Sequence, residues 1–240
     1  MQCILLCAGY ATRLYPLTEK QPKALLDVGG KTIADHILDK VNVLGVDVHL
    51  VTNELFLPLF QQWGKNKKIT IISDGTRSND KRLGALADFQ LVLDKEHITD
   101  DILLIAGDNL FDFSLNAMAE LFHEKKSSVV ALYDLRDAAK VAKKYGVAVL
   151  DKTNRVVDFE EKPEKPKSTL AATCCYLLCK ESIARLGEYM KNPQGENPGD
   201  FIRWLAKREA VYGFSFTEPW FDVGSFESLE AARRYYSGAL

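Results

Sequence analysis

The segment Gln2-Cys3-Ile4-Leu5-Leu6-Cys7 is apolar and branched, and it runs straight into the small-residue turn Ala8-Gly9-Tyr10-Ala11-Thr12-Arg13. No basic residue precedes it and a turn ends it, so it reads as a buried first strand rather than the core of a signal peptide. Downstream, Ile33, Ile37, Leu38, Val41 and Leu44 repeat at the 3.6-residue period of an amphipathic helix, and Gly45 is placed to end that helix. A second strand is expected at 47–52, which completes a strand–helix–strand unit with a parallel pair.

Further strands are expected at 69–73, 102–106, 128–133 and 146–150, with helices at 54–63, 83–94 and 114–125, the last capped by Ser114. Past residue 145 the texture changes. Runs at 147–150, 156–159 and 173–178 read as strands joined by turns such as Asp151-Lys152-Thr153-Asn154, which adds antiparallel strands. Lys162-Pro163-Glu164-Lys165-Pro166-Lys167 is too short to be a linker, and helices near 199–208 and 225–237 follow it. The expected fold is α/β: a Rossmann-like, mainly parallel sheet flanked by helices, with antiparallel additions in its second half, in a single domain over 1–240.

Composition narrows the function. With 47% apolar residues over 240 positions the chain buries a sizeable core, which excludes a disordered or fibrous protein. Lys and Arg number 31 against 33 Asp and Glu, and they are scattered, so a nucleic-acid or anionic-membrane partner is not expected and any anionic ligand is small. The apolar run at 170–179 falls well short of the ~20 residues that span a bilayer. Five cysteines, at 3, 7, 174, 175 and 179, sit in apolar stretches without zinc-ligand spacing, as expected of reduced thiols in a cytoplasmic protein. His36, His49, His97 and His123 form no metal-binding pair, and nothing in the pattern fixes an oligomeric state.

The chemistry concentrates in the turn after the first strand and its continuation to Lys23. In an open α/β sheet, ligands bind beyond the carboxyl ends of the strands. Small residues there let backbone N–H groups approach phosphate oxygens, Arg13 offers a two-pronged guanidinium and Lys23 a point charge. Solvated cations on a plain loop are the alternative. The dinucleotide fingerprint lacks its last two glycines and a P-loop is absent. Asp108 ends the run Ile102-Leu103-Leu104-Ile105-Ala106 and so projects toward the same crevice, either capping a turn or holding Mg²⁺. Asp222, in Trp220-Phe221-Asp222-Val223-Gly224, is either the second carboxylate or a strand end. Asp112 reads as a surface or cap residue, and Glu161-Lys162 alone would pass for a surface pair. Asn197-Pro198-Gly199-Asp200 begins a helix, with Asp200 as an acceptor-site candidate or part of the helix start.

Taken together, these segments resemble the sugar-1-phosphate nucleotidylyltransferases, whose signature has the form LAGGxGTRLxPLTxxxPKxLL. The match holds at Gly9, Thr12, Arg13, Leu14, Pro16, Leu17, Thr18, Pro22, Lys23, Leu25 and Leu26, and departs at Ala8 and Ala11, where that form has glycine. Gly107-Asp108-Asn109, Tyr145-Gly146-Val147, Glu161-Lys162-Pro163 and Phe221-Asp222-Val223-Gly224 follow in the family's order. The resemblance implies a GT-A-like fold in which 1–130 binds nucleotide and 131–240 the acceptor, and a Mg²⁺-dependent transfer of a nucleotidyl group to a sugar 1-phosphate. It implies Mg²⁺ on Asp108 and Asp222, and a triphosphate held by Ala8, Gly9, Tyr10, Ala11, Thr12, Arg13 and Lys23. On the acceptor side it implies Lys162 on the phosphate, Glu161 on a sugar hydroxyl and room for the sugar at Gly146.

Base recognition matches least. Where relatives carry a GTAGAL-like turn this chain has Lys81-Arg82-Leu83-Gly84-Ala85-Leu86, so Gly84 agrees while Lys81 and Arg82 replace glycine and threonine. From local chemistry alone, Thr76 and Asn79 are expected to line a pyrimidine, CTP or UTP. A cytidylyltransferase for a non-sugar phosphate such as phosphocholine, a glycosyltransferase and a nucleotide-binding regulatory protein without turnover are the rival readings.

Overall fold

The computed structural model describes residues 1–238. In chain order its strands are β1 (Gln2–Leu6), β2 (Asp27–Val28), β3 (Lys31–Thr32), β4 (Asp47–Thr52), β5 (Thr70–Ser73), β6 (Ile102–Ala106), β7 (Asn109–Phe111), β8 (Ser128–Asp134), β9 (Gly146–Leu150), β10 (Val156–Glu161), β11 (Leu170–Leu178), β12 (Val211–Phe216) and β13 (Trp220–Asp222). The helices are α1 (Ile33–Asn42), α2 (Leu57–Gly64), α3 (Ala85–Lys95), α4 (Leu115–Lys125), α5 (Ala138–Val141), α6 (Lys180–Ala184), α7 (Leu186–Met190), α8 (Pro198–Ala206) and α9 (Phe226–Tyr236).

One sheet runs through the described chain in the order β10-β9-β11-β6-β1-β4-β5, with β8 joined to β11 and β12 to β8. Strands β6, β1, β4 and β5 are parallel, as the βαβ pattern requires. The antiparallel β11 joins on at β6. The run at 128–133 forms β8, which pairs antiparallel with β11 and parallel with β12 and so runs in the same direction as β6. The sheet is therefore continuous across residue 130. Strand β11 changes partner along its length, pairing with β9 at Ala171 and Ala172 and with β6 over residues 175–178. The register slips between those two parts, where Cys174 takes a left-handed backbone with φ 51°.

Strand alternation sends side chains into two cores. Cys3, Leu5, Leu103, Ile105, Val129 and Ala131 meet α1, α2, α4 and α9 through Ile37, Phe60, Met118 and Leu229. On the other face Ile4, Leu104, Val130 and Tyr176 meet Phe89, Val92, Phe201 and Trp204 of α3 and α8. Each fully buried Leu, Ile or Phe contributes roughly 1.5–3 kcal/mol, so both layers hold the sheet edges that carry the loops described below. Helix α1 starts at a capping box in which Thr32 accepts from Asp35 N, and α4 at Ser114, which accepts from Ala117 N at 3.2 Å.

Candidate active site

The crevice lies where the sheet changes order, beyond the carboxyl ends of β1 and β6 and beside the slip in β11. That is where open α/β sheets bind ligands. The loop after β1 is fixed from below: Cys7 N donates to Val51 O at 2.8 Å, Asn53 Nδ2 to Ala8 O at 3.0 Å, and Thr18 Oγ1 to Ala11 O at 2.8 Å. These bonds hold Ala11 at φ 49°, in the left-handed region where the related signature has glycine. Gly9 and Ala11 then line a cleft with Lys23, Gly107 and Asp108.

Lys23 Nζ lies 2.5 Å from Asp108 Oδ2, and Asn109 Nδ2 donates to the other carboxylate oxygen at 2.7 Å. Asn109 is itself held by Trp220 Nε1 at 2.7 Å and pairs with Asp222 in the β7–β13 ladder. Val223 N donates to Asp108 O at 2.9 Å, so the two aspartates are brought together by backbone as well as by side chains. Burial pushes the Asp108 carboxyl up, but Lys23 and Asn109 outweigh it and hold the group below the ordinary carboxylate range. Among the described residues Asp222 has no such partner: burial first, then the neighbouring Asp108, raise it, against the pull of Lys23, Arg13 and Lys162. Arg13 lies against Gly224, where a methyl group would sit 3.3 Å from its Nη2. Five charges thus face one another across the crevice: two carboxylates and three cations.

The opposite flank of the crevice is built around Glu161. Its carboxylate is threaded between two glycines, for a Cβ on Gly146 would lie 2.8 Å from Glu161 Oε2 and one on Gly199 only 2.0 Å from it. Burial raises the Glu161 carboxyl, opposed by Lys162 and reinforced by Asp200. Lys162, at φ 48°, donates its N–H to Tyr145 O at 3.1 Å and carries its Nζ 3.7 Å from Glu161 Oε1.

Residues 2–238 match the family model described as nucleotidyl transferase. The chain belongs to the nucleotidyl transferase family. It is 29% identical over 236 residues to the bifunctional protein GlmU of Methanocaldococcus jannaschii, covering 98% of this chain and 54% of that protein. It is 31% identical over 180 residues to the UTP–glucose-1-phosphate uridylyltransferase AglF of Haloferax volcanii, covering 73% of this chain and 71% of the relative. The chain spans about half the length of the GlmU proteins it matches. The fold agrees with that of UDP-glucose pyrophosphorylase complexed with UDP-glucose, at a TM-score of 0.82, 22% identity and coverage of 100% and 99% of the two chains.

Within this nucleotidyl transferase fold the structure brings Arg13, Lys23, Asp108, Gly146, Glu161, Lys162 and Asp222 to one crevice. Gly9 and Ala11 line the same cleft, and several other candidates are engaged in local structure. Asp200 forms the start of α8: its Oδ2 accepts from Asn197 N at 3.2 Å and its Oδ1 from Arg203 at 3.0 Å, behind Glu161. Thr76 is buried, donates to Asp74 and bonds to Tyr10 at 3.0 Å, so its hydroxyl is already engaged. Asn79 is exposed on a short turn, and Gly84, at φ 95°, caps α3. Asp112 anchors α9 by accepting from Tyr235 and Tyr236.

Two residues at the crevice were not singled out from sequence. Tyr145 packs edge-on against Trp220 at 5.1 Å, and burial together with Asp222 and Asp108 pushes its phenol up to about 12. Cys174 lies at the slip in β11, where burial first, and then the nearby Asp108, Cys175, Glu161 and Asp222, push its thiol well above the ordinary range. Tyr145 was legible within its Tyr-Gly-Val motif. Cys174 had no signal, since its apolar neighbours describe a strand interior and its left-handed backbone exists only in the folded sheet.

Proposed function

We propose that this chain transfers a nucleotidyl group from a nucleoside triphosphate to a sugar 1-phosphate. The acceptor phosphate oxygen attacks the α-phosphorus, the α–β phosphoanhydride bond breaks, and pyrophosphate leaves. The observation that carries this reading is the placing of cations on both sides of two carboxylates, with Lys23 and Arg13 toward the triphosphate loop and Lys162 beside Glu161. Both reactants are anionic, so bringing them together needs positive charge on each flank and fixed geometry between them. No protein nucleophile is required.

Asp108 and Asp222 suit a hard cation. Among the described residues no group of three or more acidic, His or Cys side chains gathers, and Mg²⁺ is commonly held by one or two carboxylates with phosphate oxygens and water completing its shell. The upward push on Asp222 from Asp108 is the repulsion that a bound cation relieves. Bound there, Mg²⁺ supplies charge neutralisation to the triphosphate. Lys23, now paired to Asp108, and Arg13 orient the leaving phosphates, Lys162 holds the acceptor phosphate, and Glu161 accepts from a sugar hydroxyl. A pyrimidine triphosphate, CTP or UTP, is the proposed donor, because the methyl groups of Ala8 and Ala11 narrow the loop after β1.

The test is a matrix of four triphosphates against phosphorylated sugars and alcohols, read as pyrophosphate release with and without Mg²⁺. The reading expects release only when both substrates and the metal are present. Release from triphosphate alone at the same rate, or a phosphorylated alcohol preferred over every sugar 1-phosphate, overturns it.

A further inference from the structure

The loop after β1 has a front and a back. On its front, Gly9 and Ala11 line the cleft with Lys23 and Asp108, and among the described residues no acceptor takes the N–H groups of Ala8, Gly9, Tyr10 or Ala11. Buried backbone donors are rarely left that way, and a run of them forms a concavity suited to phosphate oxygens. Tyr10, between the two cleft-lining residues, is only 4% exposed and its side chain turns to the back. Its ring packs beside Phe56 with centroids 6.4 Å apart, and its hydroxyl meets Thr76 Oγ1 at 3.0 Å.

Thr76 is a firm anchor. Its N–H donates to Asp74 Oδ1 at 2.7 Å, its hydroxyl to the same carboxylate at 2.9 Å, and its carbonyl accepts from Glu54 N at 2.8 Å. A carboxylate only accepts, so the one hydroxyl hydrogen of Thr76 goes to Asp74, and the Tyr10 hydroxyl is the donor in its bond to Thr76. The other ties on the loop reach its ends, where Asn53 holds Ala8 O and Thr18 holds Ala11 O. The Tyr10 side chain is the tie in the middle, at the position that the related signature leaves open. Such a tie matters more here because Ala11 lacks the freedom of glycine, and its left-handed backbone at φ 49° has to be held.

We propose that Tyr10 is a positioning residue for the triphosphate. Its hydroxyl pins the back of the loop to Thr76, and through it to the loop after β5, so that the N–H groups of the loop stay set for phosphate oxygens; Tyr10 itself does not touch the substrate. Donors fixed in advance need no reorganisation when the phosphates arrive. The inference rests on the nucleotidyl-transfer reading and adds to it what shapes the donor half of the site.

Tyr10→Phe removes the hydroxyl, keeps the ring against Phe56 and leaves Thr76 bonded to Asp74, so no donor is stranded. The first measurement is calorimetric binding of inorganic tripolyphosphate with Mg²⁺ to the intact protein, a probe that carries the phosphates without base or sugar. Tyr10→Phe is expected to bind it about three- to tenfold more weakly than wild type, the range of one neutral hydrogen bond, with a melting temperature lower by no more than about 5 °C. Thr76→Ser keeps the hydroxyl and should bind within about twofold of wild type. In pyrophosphate release with glucose 1-phosphate, Tyr10→Phe should raise the KM for triphosphate by the same factor and leave the KM for acceptor within about twofold. An unchanged tripolyphosphate affinity in Tyr10→Phe overturns the proposal, as does a loss in Thr76→Ser equal to that in Tyr10→Phe or an equal rise in both KM values. Failure of wild type to bind tripolyphosphate, or of Tyr10→Phe to fold, overturns it too. If no triphosphate releases pyrophosphate while the tripolyphosphate difference holds, the reaction fails and the positioning role stands.

Discussion

Gly199→Ala isolates the acceptor flank with a single methyl group. A Cβ built at Gly199 lies 2.0 Å from Glu161 Oε2, 3.0 Å from its Cδ and 3.3 Å from Phe159 Cε1. The ring contact is nearly tolerable, so the movement falls on the carboxylate, which must retreat by more than about 1 Å to reach ordinary contact distance. Rotating a side-chain end costs little. Exchanging glycine for alanine in the first turn of α8 returns up to about 1 kcal/mol of helix propensity, so the melting temperature should hold or rise. With Glu161 on a sugar hydroxyl, as proposed above, the acceptor should lose a hydrogen bond to a charged group, worth about 1.5–3 kcal/mol, or roughly 10–150-fold in kcat/KM for the sugar phosphate. The assay varies acceptor at saturating triphosphate and then the reverse, beside a thermal melt. An unchanged acceptor kcat/KM, or an equal loss for the triphosphate, refutes the assignment of Glu161. Gly146→Ala is the contrasting control, because its methyl also meets Phe159 Cζ at 2.8 Å and should lower stability as well.

The two lysines divide the substrates: Lys23→Ala should raise the KM for triphosphate and Lys162→Ala the KM for acceptor, and both changes acting on one substrate would show the division to be wrong. Asp88→Asn should stabilise the fold at pH 8 and not at pH 4. The folded carboxyl, raised from 3.8 to about 7, binds the extra proton between those values, so wild-type stability falls as pH rises through that window. The limit is roughly 4 kcal/mol and the expected gain about 2 kcal/mol, since the buried amide is also underbonded; denaturant titrations showing the same difference at both pH values would contradict it. Ala11→Gly should raise the melting temperature by about 1–3 °C, because relief of the left-handed alanine, roughly 1–2 kcal/mol, exceeds the added freedom of glycine in the unfolded chain, about 0.5–1 kcal/mol. A lower melting temperature would show that the loop needs the methyl group.

Those residues differ in how far the sequence announces them. The period of Ile33, Ile37, Leu38 and Val41 and the cap at Ser114 are local signals, and α1 and α4 form where those signals lie. Asp108 was legible because it ends an apolar run, and β6 places it at the crevice. Strand β12 was not, since Gly213 interrupts Val211-Tyr212-Gly213-Phe214 and its pairing with β8 comes from far along the chain. The short pair β7 and β13, which sets Asn109 opposite Asp222, is likewise a product of tertiary contact. Asp200 carried two readings, and the folded chain shows its carboxylate in the capping box with Asn197 and paired with Arg203, beside Glu161. Asp88 looks like any acidic residue in the first turns of a helix; only the folded surroundings show an unpaired oxygen there.

The central claim is that the α-phosphorus passes intact to the acceptor. It is tested most directly with triphosphate labelled at the α-phosphate, incubated with sugar 1-phosphate and Mg²⁺, with labelled nucleotide sugar and pyrophosphate counted together. The account predicts one label in the acceptor-linked product for each pyrophosphate released, and a loss of at least about 100-fold in that transfer for Asp222→Asn. Label recovered as free nucleoside monophosphate, or transfer at the wild-type rate in Asp222→Asn, would contradict it.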